Sequence, residues 1–294
     1  MNQTLKSVAK SAVKAVLFKK QVFTVLKWLN PPKRVWGHLC FEGKFKVFVK
    51  QDVSFYMNHF GHGFENGIFW RGLYKGWSEE QALRLWEKLC ANAQTVIDVG
   101  ANMGIYSLLT KALNPKAKIY AFEPIKHLHR KLKLNCEINR YDVLCIHAAV
   151  SNKNGVANIF MAPGGIATAS LNCNELRTQK EQVEIIALAA YIESEAIDVV
   201  DLIKIDVEGF EPQVLEGMGK HLALMKPTIL IEILDDEAGK KIESLVKECG
   251  YLYFNIDEFA GPIRVSHLSV KKFSRHSRNF LLCTEAIAHK LSLS

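Results

Sequence analysis

From Thr95 onward, short runs of β-branched and aromatic residues alternate with longer stretches of helical spacing. Runs at Thr95–Val99, Lys118–Phe122, Val143–His147, Leu202–Asp206, Thr228–Ile233, Tyr251–Asn255 and Asn279–Cys283 predict strands. Helical patterns between most of them predict an α/β domain: a seven-stranded, mostly parallel sheet with helices on both faces. The stretch 155–187 breaks this alternation. There Val156–Met161 and Gln182–Ala187 predict an antiparallel pair, separated by Pro163-Gly164-Gly165 and a polar run ending near Lys180. The pair reads as an insertion at the ligand edge of the sheet, placed to shape an acceptor pocket.

Ahead of this domain the pattern is different. Leu5, Val8, Ala9, Ala12, Val13 and Val16 recur at helical spacing, while Lys6, Lys10 and Lys14 repeat every fourth residue. Val22, Phe23, Val25, Leu26, Trp28 and Leu29 extend the apolar side until Pro31-Pro32 ends the helix. Phe45–Val49 predicts a strand. Gly61, Gly63, Gly67, Gly72 and Gly76, interleaved with Phe64, Phe69, Trp70, Tyr74 and Trp77, predict a glycine-broken aromatic loop that either covers a ligand or simply packs. Glu79–Leu89 predicts a helix leading into the first domain strand. The expected organisation is a basic amphipathic arm at 1–34, an N-terminal extension with an aromatic lid at 35–90, and the α/β domain at 91–294.

Charge sharpens this division. The chain has 294 residues, 49% of them hydrophobic, enough for one large core and a small appendage. Its net charge of +8 resides in residues 1–34, which hold seven Lys, one Arg and no acidic residue. The remaining 260 residues carry 30 basic and 30 acidic side chains. A nucleic-acid enzyme spreads basic charge over its working face. The neutral body lacks that bias, although Lys271, Lys272, Arg275 and Arg278 form a local basic cluster. The arm contains no uncharged stretch approaching the roughly twenty apolar residues that span a bilayer, and no secretory cleavage pattern. Two readings of it stand open: a helix lying on the cytoplasmic face of an anionic membrane, or one packed on its own domain or a partner subunit. Seven scattered cysteines without a C-x-x-C pair support neither zinc nor a disulfide framework, and read as buried thiols of a reducing cytoplasm. Nothing in the sequence specifies an oligomer.

The chemistry concentrates at Asp98-Val99-Gly100-Ala101-Asn102-Met103-Gly104, between the first strand and a helix, and at Glu123, the end of the second strand. A glycine turn in this position admits a ligand to bare backbone. A carboxylate at the next strand tip is placed to accept hydrogen bonds from ribose hydroxyls. Dinucleotide folds use G-x-G-x-x-G around a pyrophosphate; here Asn102 takes the middle position, the last spacing is one residue short, and Asp98 precedes the turn. An acidic turn suits a cationic ligand without phosphate, and S-adenosylmethionine has those properties. The alternatives are a turn carboxylate for Asp98 and a solvated strand end for Glu123.

A set of motifs in fixed order resembles the FkbM family of S-adenosylmethionine-dependent methyltransferases over about Asn66 to Cys283. They are Val96–Gly104, Ala121–Pro124, Leu132–Asn139, Ala148–Ser151, Ile203–Glu211, Val214–Gly217, Lys226–Glu232 and Arg278–Leu282. The resemblance implies a Rossmann-like class I methyltransferase fold that methylates a hydroxyl of a sugar, glycan, glycolipid or small metabolite. It further implies that Asp98, Gly100, Asn102 and Gly104 line the methionine and ribose, that Glu123 holds the ribose, and that Ala148 and Ala149 flank the adenine. The chain departs from the family at Trp77-Ser78, where Tyr-Glu is common, although Glu79 and Glu80 follow at once. A second departure, Leu188-Ala189-Ala190 in place of Leu-Asp, concerns helix packing.

Ligands of open α/β sheets bind beyond the carboxyl ends of the strands, where strand order reverses. Asp98, Asp206 with Glu208, and Glu232 are therefore expected to converge. Methyl transfer to an alcohol needs its proton removed, and the candidate bases are Asp206 and Glu208, then Glu232. Lys204 shares a strand face with Asp206; it either polarises the acceptor or forms a buried ion pair beneath the site. The carboxylates suit Mg²⁺, but no spacing demands a metal and none is expected. His127 and His129 are expected at the solvent or core edge. Nucleic-acid methylation and a non-catalytic, membrane-associated assembly role are the competing readings.

Overall fold

The computed structural model describes residues 18–75, 79–161, 179–270 and 277–293. The chain forms two compact units, residues 1–77 and 78–294.

In the first unit, α1 (Lys19–Leu26) is followed by a short α2 (Lys33–Trp36) and an antiparallel hairpin of β1 (Glu42–Lys50) and β2 (Val53–Phe60). The strand expected at Phe45–Val49 lies inside β1. Its alternation is strict: Phe45, Val47 and Val49 are buried while Lys44, Lys46, Phe48 and Lys50 face water. The expected aromatic loop is instead mostly helical. Residues Gly63–Arg71 form α3, which stops at Gly72 with φ 86°. Each glycine weakens a helix by about 1 kcal/mol, but burial of Ile68, Phe69 and Trp70 outweighs that cost. The ring of Phe69 meets Phe41 at 4.8 Å, and Trp70 meets Phe23 at 5.9 Å. Asn66 ties the cluster together, its Oδ1 accepting from Trp70 Nε1 at 3.0 Å and meeting His59 Nε2 at 3.1 Å. Phe69 and Trp70 are thus core residues of their own unit rather than a lid. The arm helix expected over Leu5–Leu29 falls outside the described residues up to position 17, as do Gly76, Trp77 and Ser78.

The second unit opens with α4 (Glu80–Cys90), followed by β3 (Thr95–Val99), α5 (Ile105–Leu113), β4 (Lys118–Phe122), α6 (Lys126–Asn139) and β5 (Val143–Ile146). A small insertion holds β6 (Ala149–Ser151), β7 (Gly155–Met161) and β8 (Gln179–Ala187). Then come α7 (Leu188–Ser194), β9 (Leu202–Ile205), α8 (Glu211–Glu216), α9 (Lys220–Met225), β10 (Thr228–Glu232) and α10 (Asp236–Val246). The unit closes with β11 (Leu252–Asp257), β12 (Gly261–Val265), β13 (Asn279–Cys283) and α11 (Glu285–Lys290). The helix α4 belongs to this unit. The reason is Trp86, which is fully buried, donates from Nε1 to Thr110 Oγ1 at 2.9 Å, and packs edge-on against Tyr106.

The main sheet has the order β12-β11-β13-β10-β9-β3-β4-β5. The strands β10, β9, β3, β4 and β5 run parallel, and β13 is antiparallel to both β10 and β11. Every expected strand is present. The sheet has one strand more, the edge strand β12, whose Gly261-Pro262-Ile263-Arg264-Val265 contains no apolar run to reveal it. Residues of β9 and β13 are buried throughout, which is why these strands, Lys204 and Asn279 apart, read as apolar on both faces rather than alternating. The expected antiparallel pair exists as β7 and β8, with β6 added parallel to β8. The intervening polar run, 162–178, falls outside the described residues. Strand order reverses between β3 and β9, which places the ligand crevice at their carboxyl ends.

Candidate active site

The register of the sheet assembles one charged face. Asp98 on β3 pairs with Lys204 on β9, and Lys204 pairs with Leu230 on β10. Side chains repeat on one face every second residue, so Asp206 joins Lys204, and Glu232 joins Leu230. Asn279 pairs with Glu232 from β13. These polar groups therefore project from the same side of an otherwise apolar sheet.

Lys204 is 1% exposed. Its Nζ donates to Asn279 Oδ1 at 3.2 Å, approaches Asp206 Oδ2 at 3.7 Å, and lies 5.2 Å over the Tyr106 ring. Burial pulls this ammonium down, but Asp206, Glu79, Glu232 and Asp98 outweigh it and hold the pKa above its ordinary value. Lys204 and Asp206 thus form an ion pair whose lysine is buried and whose carboxylate is 28% exposed.

Around this ammonium, Asp206, Glu208 and Glu232 bring carboxylate oxygens within 4.8 Å of one another. Burial, then the nearby Asp206 carboxylate, pushes Glu232 up to about 9. The tip of β9 is shaped by consecutive left-handed residues, Glu208 at φ 56° and Gly209 at φ 100°. Glu211 fixes that turn from below, accepting backbone N–H bonds from Val207 at 3.2 Å and Gly209 at 3.0 Å. Three carboxylates so grouped are also able to hold a hard divalent cation, a use that no other feature of the site requires.

On the β3 side, Gly100 has φ 79°, and a Cβ there would lie 1.9 Å from the Asp206 carbonyl oxygen. The missing side chain of Gly100 thus lets β3 and β9 end side by side. Asn102 is also left-handed, at φ 52°, which aims its N–H at Glu123 Oε2, 2.8 Å away. The other Glu123 oxygen accepts from Ile125 N at 2.8 Å. Each carboxylate oxygen keeps a second lone pair, so Glu123 is fixed by the turn yet able to accept further hydroxyl hydrogens. Burial raises Glu123 to about 7. Gly104, at φ 88°, starts α5 and sits tightly over Leu132.

Asp98 is not open to the crevice: it is buried, and it accepts the Ser107 hydroxyl at 2.6 Å. Burial pushes it up to about 6 despite that bond. Ala148 and Ala149 are likewise buried, following the end of β5. His127 is exposed, and the half-buried His129 stacks on His147 at 5.0 Å, in line with their expected edge positions. Of the basic cluster, Lys271, Lys272 and Arg275 fall outside the described residues.

Four supporting residues escape the sequence reading. Glu79 accepts the Tyr106 hydroxyl at 2.7 Å, and its pKa is raised by burial and lowered in part by Lys204. Tyr106 lies beneath Lys204, Ser107 holds Asp98, and Asn279 holds Lys204. Only Glu79 left a signal, since it follows directly on the family's Tyr-Glu position.

A parallel sheet with an acidic glycine turn at its reversal point, and a neighbouring strand-tip carboxylate, defines the class of α/β nucleotide-cofactor proteins. Residues 98–253 match the methyltransferase FkbM domain, and the chain belongs to that family. Similar proteins include the hexuronic acid methyltransferase AglP of Haloferax volcanii, 25% identical over 58% of this chain and 68% of that protein. The methyltransferase sdnD of Sordaria araneosa is 24% identical over 53% of this chain and 73% of that protein. A third, the antimetabolite synthetase AmbE of Pseudomonas aeruginosa, is 26% identical over 49% of this chain, which spans 8% of the synthetase. Among solved structures, the FkbM methyltransferase of Methylobacillus flagellatus aligns at 13% identity with a TM-score of 0.42, over 65% of this chain and 43% of that one.

Proposed function

We propose that the protein transfers a methyl group from S-adenosylmethionine to a hydroxyl oxygen of a sugar, glycan, glycolipid or small metabolite. The observation that carries this reading is the gathering of Asp206, Glu208 and Glu232 at the sheet's reversal point, beside a turn that presents Glu123. The donor set suits this cofactor. Asp98 and Glu123 are buried carboxylates held above their ordinary pKa values by burial. A cation with ribose hydroxyls relieves that unfavourable charge, whereas a pyrophosphate would add to it.

Glu123 would hold the ribose, and the Asn102–Gly104 turn would line the methionine part. When bound, S-adenosylmethionine supplies an electrophilic methyl group on a positively charged sulfur. The chain's own task is to position the acceptor and take up its proton. Glu232, with its raised pKa, keeps its proton near neutral pH and is suited to hydrogen-bond donation. Asp206 and Glu208 are left as proton acceptors, with Lys204 stabilising the Asp206 carboxylate from beneath. The sugar acceptor rests on the likeness to a hexuronic acid methyltransferase.

Isothermal titration with S-adenosylmethionine and S-adenosylhomocysteine, followed by methyl-label transfer to uronic acids and neutral sugars, tests the reading. Binding of both cofactor forms with label recovered as an alkali-stable methyl ether is expected. No binding of either form, or label found on nitrogen or in nucleic acid, would overturn it.

A further inference from the structure

The helix α1 has two unlike sides. Phe23 is buried, with its ring 6.5 Å from Phe41 and 5.9 Å from Trp70, so one side is anchored within its own unit. On the other, Val22 and Val25 of the helix are continued by Phe18, which caps it at φ 62°, and by Leu29 in the 3-10 turn Lys27–Leu29 that follows, a spacing of four, three and four residues. Phe18, Val22, Val25 and Leu29 are 73%, 40%, 69% and 75% exposed, and Trp28 beside them is 89% exposed. Single exposed apolar residues are ordinary; a continuous stripe ending in a bare tryptophan marks a contact surface.

The charges around the stripe say what it contacts. Lys19, Lys20, Lys33 and Arg34 lie beside it in the sequence, Lys27 turns instead onto the buried Phe69 ring at 4.8 Å, and the first acidic residue of the chain is Glu42. We propose that this stripe seats in the headgroup layer of an anionic bilayer, with Trp28 at the interface and the surrounding lysines and Arg34 against lipid headgroups. A second copy of the chain is a poor occupant. A two-fold contact would set the same acid-free patch against itself. Nucleic acid would answer the charge but leave the aliphatic stripe in water. The contact lies on the membrane and does not cross it: no helix among the described residues is long and apolar enough to span one. This inference stands apart from the proposed methyl transfer.

Co-sedimentation of the full chain with phosphatidylcholine vesicles, with and without phosphatidylserine, tests it. Each basic residue at an anionic surface multiplies partitioning by about fivefold. Binding to the phosphatidylserine vesicles at least about tenfold above the neutral ones, weakened by salt, is therefore expected. The triple variant V25S/W28S/L29S alters only exposed side chains and should keep the thermal midpoint. Its partitioning should fall at least about tenfold. Equal binding to both vesicle types, or unchanged binding of the triple variant, would overturn the proposal. So would sedimentation velocity showing a lipid-free dimer that the triple variant abolishes.

Discussion

Gly100 and Asp206 meet backbone to backbone, where β3 and β9 end side by side: a Cβ on Gly100 would stand 1.9 Å from the Asp206 carbonyl oxygen. Gly100 also holds φ at 79°, a conformation that costs other residues about 1–2 kcal/mol. The Gly100→Ala variant must therefore separate two neighbouring strand tips or lose the turn. A destabilisation of roughly 2–5 kcal/mol is expected from strain and overpacking together. Urea denaturation measures it; a midpoint equal to wild type would show that the turn relaxes without cost.

Glu123 is held by two backbone N–H bonds, from Asn102 and Ile125, so its position does not depend on a ligand. Its replacement by alanine should weaken S-adenosylmethionine by about 1.5–3 kcal/mol, the range for a hydrogen bond to a charged group. With Glu123 raised to about 7 and Asp98 to about 6, ionisation of both is completed between mildly acidic and mildly alkaline pH. Affinity for the cationic cofactor should rise over that interval, and more steeply than affinity for S-adenosylhomocysteine, which lacks the sulfonium charge. Calorimetric titrations of both compounds across the interval decide this, and parallel pH slopes would remove Asp98 and Glu123 from recognition of the charge.

The fold was legible because its central strands are buried on both sides. Largely apolar runs such as Leu202–Ile205, broken only by Lys204, and Phe280–Cys283 leave little choice of structure, and helical spacing fills the gaps between most of them. The edge strand β12 was not legible, since one rim pairing stabilises Gly261–Val265 without an apolar pattern. The helix α3 was hidden by its glycines, and only the tertiary burial of Phe69 and Trp70 selects it. Within the site, residues at strand tips could be read from alternation. Tyr106, Ser107 and Asn279 could not, because their roles depend on which strands become neighbours across long stretches of sequence. Asp98 and Gly100 were legible as turn residues, but the Ser107 hydroxyl on Asp98 and the packing of Gly100 against the tip of β9 were not.

Three carboxylates within 4.8 Å invite a divalent cation, yet their charge is already balanced in part. Lys204 stands 3.7 Å from Asp206, and the raised pKa of Glu232 removes one negative charge near neutral pH. Methyl transfer is accordingly expected to survive EDTA and to gain nothing from added Mg²⁺. A chelation-sensitive rate restored by Mg²⁺ would reassign the three groups as metal ligands.

The pH dependence of stability follows from Glu232. Its ordinary value is 4.5 and its folded value about 9, because burial and Asp206 disfavour the charged form. Between those values the folded state binds the extra proton, so stability is full below the unfolded pKa and declines as pH rises toward the folded one. A Glu232→Gln variant has no proton to lose and should show a flatter decline from pH 6 to pH 9. Thermal midpoints across that range test it; identical slopes for the two proteins would assign the dependence to other groups.

Lys204 is the buried cation on which these carboxylates converge, and its own partners define what its removal should do. Lys204→Met conserves much of the stem's volume while deleting the charge that faces Asp206, Glu79, Glu232 and Asp98. Leaving partners of a buried pair uncompensated costs about 3–5 kcal/mol. Asp206 is 28% exposed, so water screens part of that cost and the lower end of the range is expected. The loss should be greater at pH 8 than at pH 6, since protonation of the raised carboxylates substitutes for the missing ammonium as pH falls. Adding Asp206→Asn to Lys204→Met should recover part of the loss, giving a favourable coupling in a double-mutant cycle. Strict additivity of the two substitutions at pH 8 would mean that the 3.7 Å contact carries no energy and that the ammonium is held by its other partners, Asn279, the Tyr106 ring and the Glu79, Glu232 and Asp98 carboxylates.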